Sequence, residues 1–439
     1  MRKRLLVFSF DAMVREDVDN LMKKPNFGSV LKDSCQVNHI RTIYPSITYP
    51  AHTSLSTGCY PNKHGVISNF LFTTGDKEKN WMWSHDNVKV EDFFDCAKKA
   101  GYTTASVAWP VTGSHKNIDY LWNECWMPFE GDTLQSCFKR EGSSDEVIAI
   151  LNKHANKLPP TFFQGGRANF MIQPYIDNFE IAISCDIIKQ FKPEIMFIHD
   201  GIMDATRHKY GVFNKETDKA LDFADYQLGR VVQALKDAGV YEQTNIAVVS
   251  DHGQLPIRRI MKPNVYLKDN GFITVDEQGE IVDWQAFCLS DAMSAHVYLK
   301  DPSDIKKYNA VYKLLSDMAT EGIYGFTEVV TAAEIDKREH LNGDFAFVLE
   351  TDGYTSFSDD VNRPVIKPYD YSDYRFGAAT HGYNPDLGPQ PIMNVIGPDF
   401  KKNIVVERRP IVDEAPTFAK VMGFEMPMAD GKPIEEFIK

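Results

Sequence analysis

Residues 5–13 read LLVFSFDAM, a short apolar run, Leu5–Phe10, that stops at Asp11. An apolar run without alternation fits a parallel strand covered by helices on both faces. The same pattern returns at Ile195–Ile198 and at Ile246–Val249, each time after a helix-like segment. The clearest of these segments spans about Thr217 to Ala238. It carries Leu221, Ala224, Leu228, Val231, Val232 and Leu235 at helical spacing, with Gly239 as its stop. Strands alternating with helices predict an α/β fold with a mainly parallel sheet. Each buried strand runs into acids or a histidine: Asp11 after the first, Asp200 and Asp204 after the second, Asp251 and His252 after the third. Ligands of open parallel sheets bind beyond the carboxyl ends of the strands, so these stretches are expected to converge on one site.

The texture changes between about residues 265 and 369. SAHVYL (294–299), GFTEVV (325–330) and FAFVLE (345–350) have strand character, and a helical stretch lies near Ile305–Met318. The expected organisation is therefore an α/β catalytic core from residues 1–264 and 370–439, with residues 265–369 forming a smaller inserted α+β cap. Internal repeats and low-complexity tracts are not found.

The 439 residues carry a net charge of −13 and have Lys and Arg only in short pairs such as Lys23-Lys24 and Arg258-Arg259. A face that grips a phosphate backbone needs clustered cations, so a nucleic-acid polymer is not an expected partner. A small phosphate ester remains, because bound metal ions override a negative overall charge locally. The seven cysteines are scattered and odd in number and contain no CxxC pair. That argues against a disulfide framework and against a thiolate zinc site. The start, MRKRLLVFSFDAM, has basic residues before an apolar run, but Asp11 ends the run too early for a secretory leader. No apolar run reaches the roughly 20 residues of a membrane span. The expectation is a soluble cytoplasmic protein of undetermined oligomeric state.

Four stretches carry chemistry: Asp11 in VFSFDAM, the D-x-x-x-H pair Asp204 and His208, Asp251-His252 in VVSDHGQ, and His381 in ATHGYN. Each alone is weak, since an acid after a strand is commonly a helix cap and a lone histidine is commonly packed or solvated. Together, three Asp and three His can hold two divalent cations. Zinc suits this nitrogen and oxygen set best, with manganese the alternative. Thr48, in PSITYPAHTSL (45–55), is followed two places on by Pro50, a helix-start signal. Its hydroxyl either serves that helix or points at something reactive.

In their order, FDAM, PSITYPAHTSLSTGCYPNKHGVISN (45–69), the D-x-x-x-H pair, SDHG, THGYN and VIGPDF (395–400) resemble the nucleotide pyrophosphatase/phosphodiesterase family (type I phosphodiesterase) of the alkaline phosphatase superfamily. The resemblance implies an alkaline phosphatase-like core and hydrolysis of small-molecule phosphodiesters or pyrophosphates with two metal ions. It makes Thr48 the nucleophile and a ligand of one metal, whose shell Asp11, Asp251 and His252 complete. Asp204, His208 and His381 would hold the second metal, and Asn69 would hydrogen-bond a phosphate oxygen. A threonine hydroxyl needs activation, which a nearby cation and a helix N-terminus both supply. The sulfatase relatives use a modified cysteine or serine in C/S-x-P-x-R, a pattern absent here. Cys59, downstream of Thr48, reads as a packed thiol.

Two departures bear on the substrate. Arg207 replaces the glycine that the family places before the metal-binding histidine; it is expected to extend into solvent, the alternative being contact with a phosphate. His199 stands where nucleotide-cleaving relatives often carry a base-holding tyrosine. Tyr49 is retained as an aromatic platform. The FLF run after Asn69, together with Trp81, Trp83 and Trp109, could line a pocket for the second ester group or belong to the core; Trp109, at the end of a strand-like stretch, is expected to face the site. A phosphomonoesterase or a phosphonate (phosphonoacetate-type) hydrolase on the same metal frame is the rival reading. A non-catalytic metal-stabilised binding protein would lack a ligand or the nucleophile, and neither is missing. A cofactor-independent mutase would need a second, arginine-lined phosphate pocket, whose pattern is not present.

Overall fold

The computed structural model describes residues 2–74, 80–125, 131–158, 173–370 and 374–439. Eight strands form the principal sheet: β1 (Arg4–Phe10), β2 (Cys35–Arg41), β3 (Thr104–Val107), β4 (Tyr120–Trp122), β5 (Ile195–Asp200), β6 (Thr244–Val249) and, late in the chain, two more. Between these lie the strands of a smaller sheet, β7 (Ala286–Asp291), β8 (Ser294–Leu299), β9 (Phe326–Thr331) and β10 (Phe347–Thr351). β11 (Met393–Ile396) and β12 (Val405–Pro410) complete the principal sheet, whose order is β12-β2-β11-β6-β1-β5-β3-β4. Only β11 runs against the others. The large mainly parallel sheet with helices on its faces is the α/β class expected from the apolar runs.

The register of the central strands decides where the chemistry lies. β1 pairs in parallel with β5, Phe10 opposite Asp200, and with β6, Ser9 opposite Val249. All three strands therefore end at the same edge, with Asp11 directly after β1, Asp251 two residues after β6 and His199 next to last in β5. These strands are apolar throughout because both faces are covered: Leu5–Phe10 are almost wholly shielded from water. Each large apolar side chain buried in this way contributes roughly 1.5–3 kcal/mol.

The helices that matter to the site are α1 (Thr48–Thr57), α2 (Tyr175–Phe191), α3 (Ile202–Tyr210) and α4 (Lys215–Asp237). α4 shows why the sequence chooses helix here. The Asn214 side chain accepts from the Glu216 and Thr217 amides at its start. Leu221, Ala224, Leu228, Val231 and Leu235 then bury one stripe against the sheet core. Gly239, at φ +73°, supplies the left-handed residue that ends it.

The smaller sheet is antiparallel, in the order β7-β8-β10-β9. It is covered by α5 (Ile305–Glu321) through Val311, Leu315 and Met318, and it has an apolar core of its own with Phe287, Val297 and Phe347. Its β7–β8 hairpin touches the principal body at the site. The Ser68 hydroxyl donates to Asp291, and the Met293 amide donates to the His381 carbonyl at 3.0 Å. None of the helices described is long and apolar enough to cross a membrane.

Candidate active site

α1 begins at Thr48, with Ile47 rather than Thr48 in the capping position and no side-chain cap bond. The hydroxyl is thus not spent on the helix. Thr48 Oγ1 lies 3.2 Å from His252 Nε2. The amides of a first helical turn have no partner within the helix and carry positive potential, which suits an anion held against Thr48. Asn69 Oδ1 accepts from the Tyr49 amide at 2.8 Å. That bond fixes the side-chain amide so that its Nδ2 protons are the part left for a ligand.

The predicted metal ligands fall into two groups, Asp11 with Asp251 and His252, and Asp204 with His208 and His381. Within each, one ligand atom per residue lies within 4.8 Å of the others, and all six residues are buried. The His252 and His381 rings, 4.2 Å apart, join the groups. The donor chemistry fits cations. His252 Nδ1 faces the Gly253 carbonyl at 3.2 Å and His208 Nδ1 faces the Ala379 carbonyl at 2.8 Å, so both rings carry their proton on Nδ1. Their Nε2 lone pairs then face oxygen: His252 Nε2 is 3.1 Å from Asp251 Oδ2 and 3.5 Å from Asp11 Oδ1, and His208 Nε2 is 3.1 Å from Asp204 Oδ1. Lone pairs and carboxylate oxygens this close repel unless a cation lies among them.

Electrostatics lead to the same reading. Burial, with the Asp251 carboxylate next to it, pushes Asp11 well above the ordinary carboxylate range, and burial raises Asp251 to about 8. Burial and the neighbouring rings keep His252 and His381 neutral, the form that ligates metal. Bound divalent cations would return the acids to their charged form.

Several predicted residues sit elsewhere than expected. Arg207 does not reach solvent. Its side chain is fully buried, donating to the Asp17 carboxylate at 2.7 and 2.8 Å and to the Ala12 carbonyl at 2.9 Å. The salt bridge compensates the charge, and the Phe213 ring covers the guanidinium. Trp109 has no exposed surface; it packs edge-on against His52 and Phe197 in the core and does not face the site. Tyr49 is also fully buried, under Trp81, so it offers no platform itself. Trp81 and Trp83 are half-buried against the Tyr49 cluster, with the Trp81 ring 5.3 Å from that of Tyr49 and 4.7 Å from that of Phe70. His199 points inward, its Nε2 3.1 Å from Oδ2 of Asp11, one of the predicted ligands.

Sequence reasoning missed two supports. Gln254 Nε2 donates to Asp204 Oδ1 at 2.6 Å and to its carbonyl at 3.1 Å. His52, one turn beyond Thr48, directs Nδ1 to the Thr48 carbonyl and Nε2 to the Ser9 hydroxyl, both at 2.9 Å. Polar residues inside apolar segments were the available signal, but their partners are remote in sequence. A third His/Asp group, His85, Asp92 and His115, lies apart from these residues. The Asn117 amide donates to His115 Nδ1, which leaves the proton on Nε2, bonded to Asp92 at 3.1 Å. That ring is committed to holding the Asp92 cap of the helix Phe93–Lys99, not to a metal.

A mainly parallel sheet with paired carboxylate–imidazole clusters at its carboxyl edge is the alkaline phosphatase-like arrangement. The chain belongs to the type I phosphodiesterase/nucleotide pyrophosphatase family, whose sequence profile matches residues 5–384. It is 21% identical to mouse ectonucleotide pyrophosphatase/phosphodiesterase family member 7 over 446 aligned residues, covering 98% of this chain and 85% of that protein. It is 24% identical to orangutan bis(5'-adenosyl)-triphosphatase ENPP4 over 283 residues, 62% of this chain and 53% of the relative. The match thus spans about half the length of that relative. Murine ectonucleotide pyrophosphatase/phosphodiesterase 5 shares the fold, with a TM-score of 0.67 at 19% identity over 98% of both chains. An inactive threonine-to-alanine variant of that murine protein, in complex with AMP, gives a TM-score of 0.68 at 18% identity over the full length of both chains.

Proposed function

We propose that this chain hydrolyses small-molecule phosphodiesters or pyrophosphates through a phospho-threonine intermediate on Thr48. The observation that carries the reading is the Thr48 hydroxyl itself. It is free of helix capping, sits at the first turn of α1 and faces the lone pair of His252 Nε2 at 3.2 Å. Two divalent cations, zinc by donor type with manganese the alternative, held by Asp11, Thr48, Asp251 and His252 and by Asp204, His208 and His381, would lower the hydroxyl pKa and neutralise phosphoryl charge. The α1 N-terminus and Asn69 Nδ2 orient the non-bridging oxygens. Thr48 Oγ1 then bonds to phosphorus as the alcohol or phosphate leaving group departs, and water cleaves the phospho-threonine in a second displacement.

Arg207 bears on the choice between diester and monoester. A monoester carries about one more negative charge and calls for an added cation. Arg207 is committed to Asp17 and Ala12, so the arginine peculiar to this chain's motifs does not supply it. The half-buried Trp81, resting on Tyr49 and Phe70, instead offers apolar surface for a second ester group. The AMP held by the murine relative supports a nucleotide-like substrate, but here the inward-turned His199 leaves base contact to Trp81.

The test compares initial rates on a bis-aryl phosphate diester and an aryl phosphate monoester, with added zinc or manganese and with a chelator control. Diester preference that the chelator abolishes is the expected result. A preference for the monoester overturns the assignment and moves the chain to the rival phosphomonoesterase reading.

A further inference from the structure

Arg207 links the two halves of the site. It lies on α3 between Asp204 and His208, so one half of the ligand set is on its own helix. Its side chain leaves that helix for the β1 turn that presents Asp11. There Nη1 donates to the Ala12 carbonyl at 2.9 Å, and Nη2 holds both Asp17 oxygens. Asp17 in turn accepts from the Val14 amide at 2.9 Å, which closes the turn on itself. Ala12 is in the left-handed region at φ +57°, a conformation that alanine adopts only when its surroundings hold it there. Its surroundings do: the Ala12 amide donates to Asp251 Oδ1 at 3.1 Å while Arg207 grips its carbonyl. One residue, adjacent to Asp11, is thus fastened on one side to the first ligand group and on the other to the helix of the second.

From this geometry, and resting on the two-cation reading of the site, we infer that Arg207 is a positioning residue that couples the two cation sites, so that filling one orders the ligands of the other. Coupling of this kind is reciprocal: whichever site fills first improves the other by the same factor.

The test is cobalt titration of the metal-stripped full chain, followed by calorimetry and by the visible absorption of the bound ion. The variants are Arg207→Lys, which keeps a cation for Asp17 but cannot span to Ala12 as well, and Arg207→Met/Asp17→Asn, which removes the link without leaving a buried charge unpaired. The wild-type chain is expected to take two equivalents in one transition. Both variants are expected to take them in two transitions, with dissociation constants at least tenfold apart and distinct spectra for the first and second equivalents. The double variant keeps the test decisive if the lysine variant does not fold. Two equivalents bound by the variants in a single transition like that of wild type would overturn the inference and leave the two-cation site standing. Fewer than two equivalents in the wild-type chain would overturn both.

Discussion

Replacing Thr48 with alanine separates chemistry from folding, because the hydroxyl does little for the helix it begins. Ile47 occupies the capping position, and Thr48 Oγ1 meets His252 Nε2 at 3.2 Å. Losing that bond costs about 1 kcal/mol. Alanine recovers about 0.5 kcal/mol of helix propensity, and the missing methyl of a buried side chain costs about 1 kcal/mol. The net loss is about 1.5 kcal/mol. With about 2.1 cal/mol/K of unfolding entropy per residue, 439 residues melting together give roughly 0.9 kcal/mol/K. The melting temperature is therefore expected to fall by only about 2 °C. Turnover is expected to fall at least ~10,000-fold, about 5.5 kcal/mol, as for loss of a covalent nucleophile. The assay is the diester initial rate alongside a thermal melt and a count of bound metal. Thr48→Ser, which restores a hydroxyl at the same carbon, should recover measurable turnover. A Thr48→Ala chain that folds, keeps its metal and turns over within tenfold of wild type would refute the nucleophile assignment, whatever the other ligands do.

His381→Ala removes the ring that faces Asp204 Oδ1 at 3.7 Å and adjoins His252, and it is expected to leave one tightly bound cation where wild type has two. Metal analysis after desalting checks this, and two retained equivalents exclude His381 as a ligand. Glu350 predicts a pH effect away from the metals. Burial raises it from 4.5 to about 7, so the folded chain keeps a proton that the unfolded chain loses. Its contribution to stability is then at its best below about pH 4.5, declines as pH rises to about 7 and is flat above. In Glu350→Gln, whose amide oxygen can still accept from the Asn384 amide, that decline should be lost, so the stability difference between wild type and variant should itself fall as pH rises through the window. Parallel curves across the window would show that Glu350 does not hold its proton.

The parts of this protein legible in its sequence are those where local pattern and tertiary outcome agree. Leu5–Phe10 could only be buried on both faces, and the parallel pairing of β1 with β5 and β6 follows from that. Once those strands align, Asp11, Asp204 and Asp251 must share an edge, so the gathering of the candidate ligands follows from the fold class and the motif order together. The Lys215–Asp237 helix was readable from its spacing and its glycine stop for the same reason.

The misread residues are polar or amphipathic groups whose burial is decided by a distant partner. Arg207 on a short helix looks like a solvated arginine until Asp17, 190 residues earlier, comes to lie within 2.7 Å of it. Trp109 and Tyr49 look like site aromatics because they neighbour the motifs, yet His52, Phe197 and Trp81 cover them. His199 takes a position that suggests substrate contact and uses it to hold Asp11. These displacements share a direction. Each takes a side chain expected at the substrate or in solvent and turns it into support for the ligand groups or the core beneath them. Among the expected aromatic residues, Phe72, Trp81 and Trp83 stay half-buried, and Trp81 is the one whose ring packs on Tyr49 of the helix that begins at Thr48. Selectivity in this chain therefore has to be sought in Trp81 and in the β7–β8 hairpin that bonds to Ser68 and His381, rather than at the position where nucleotide-cleaving relatives keep their tyrosine.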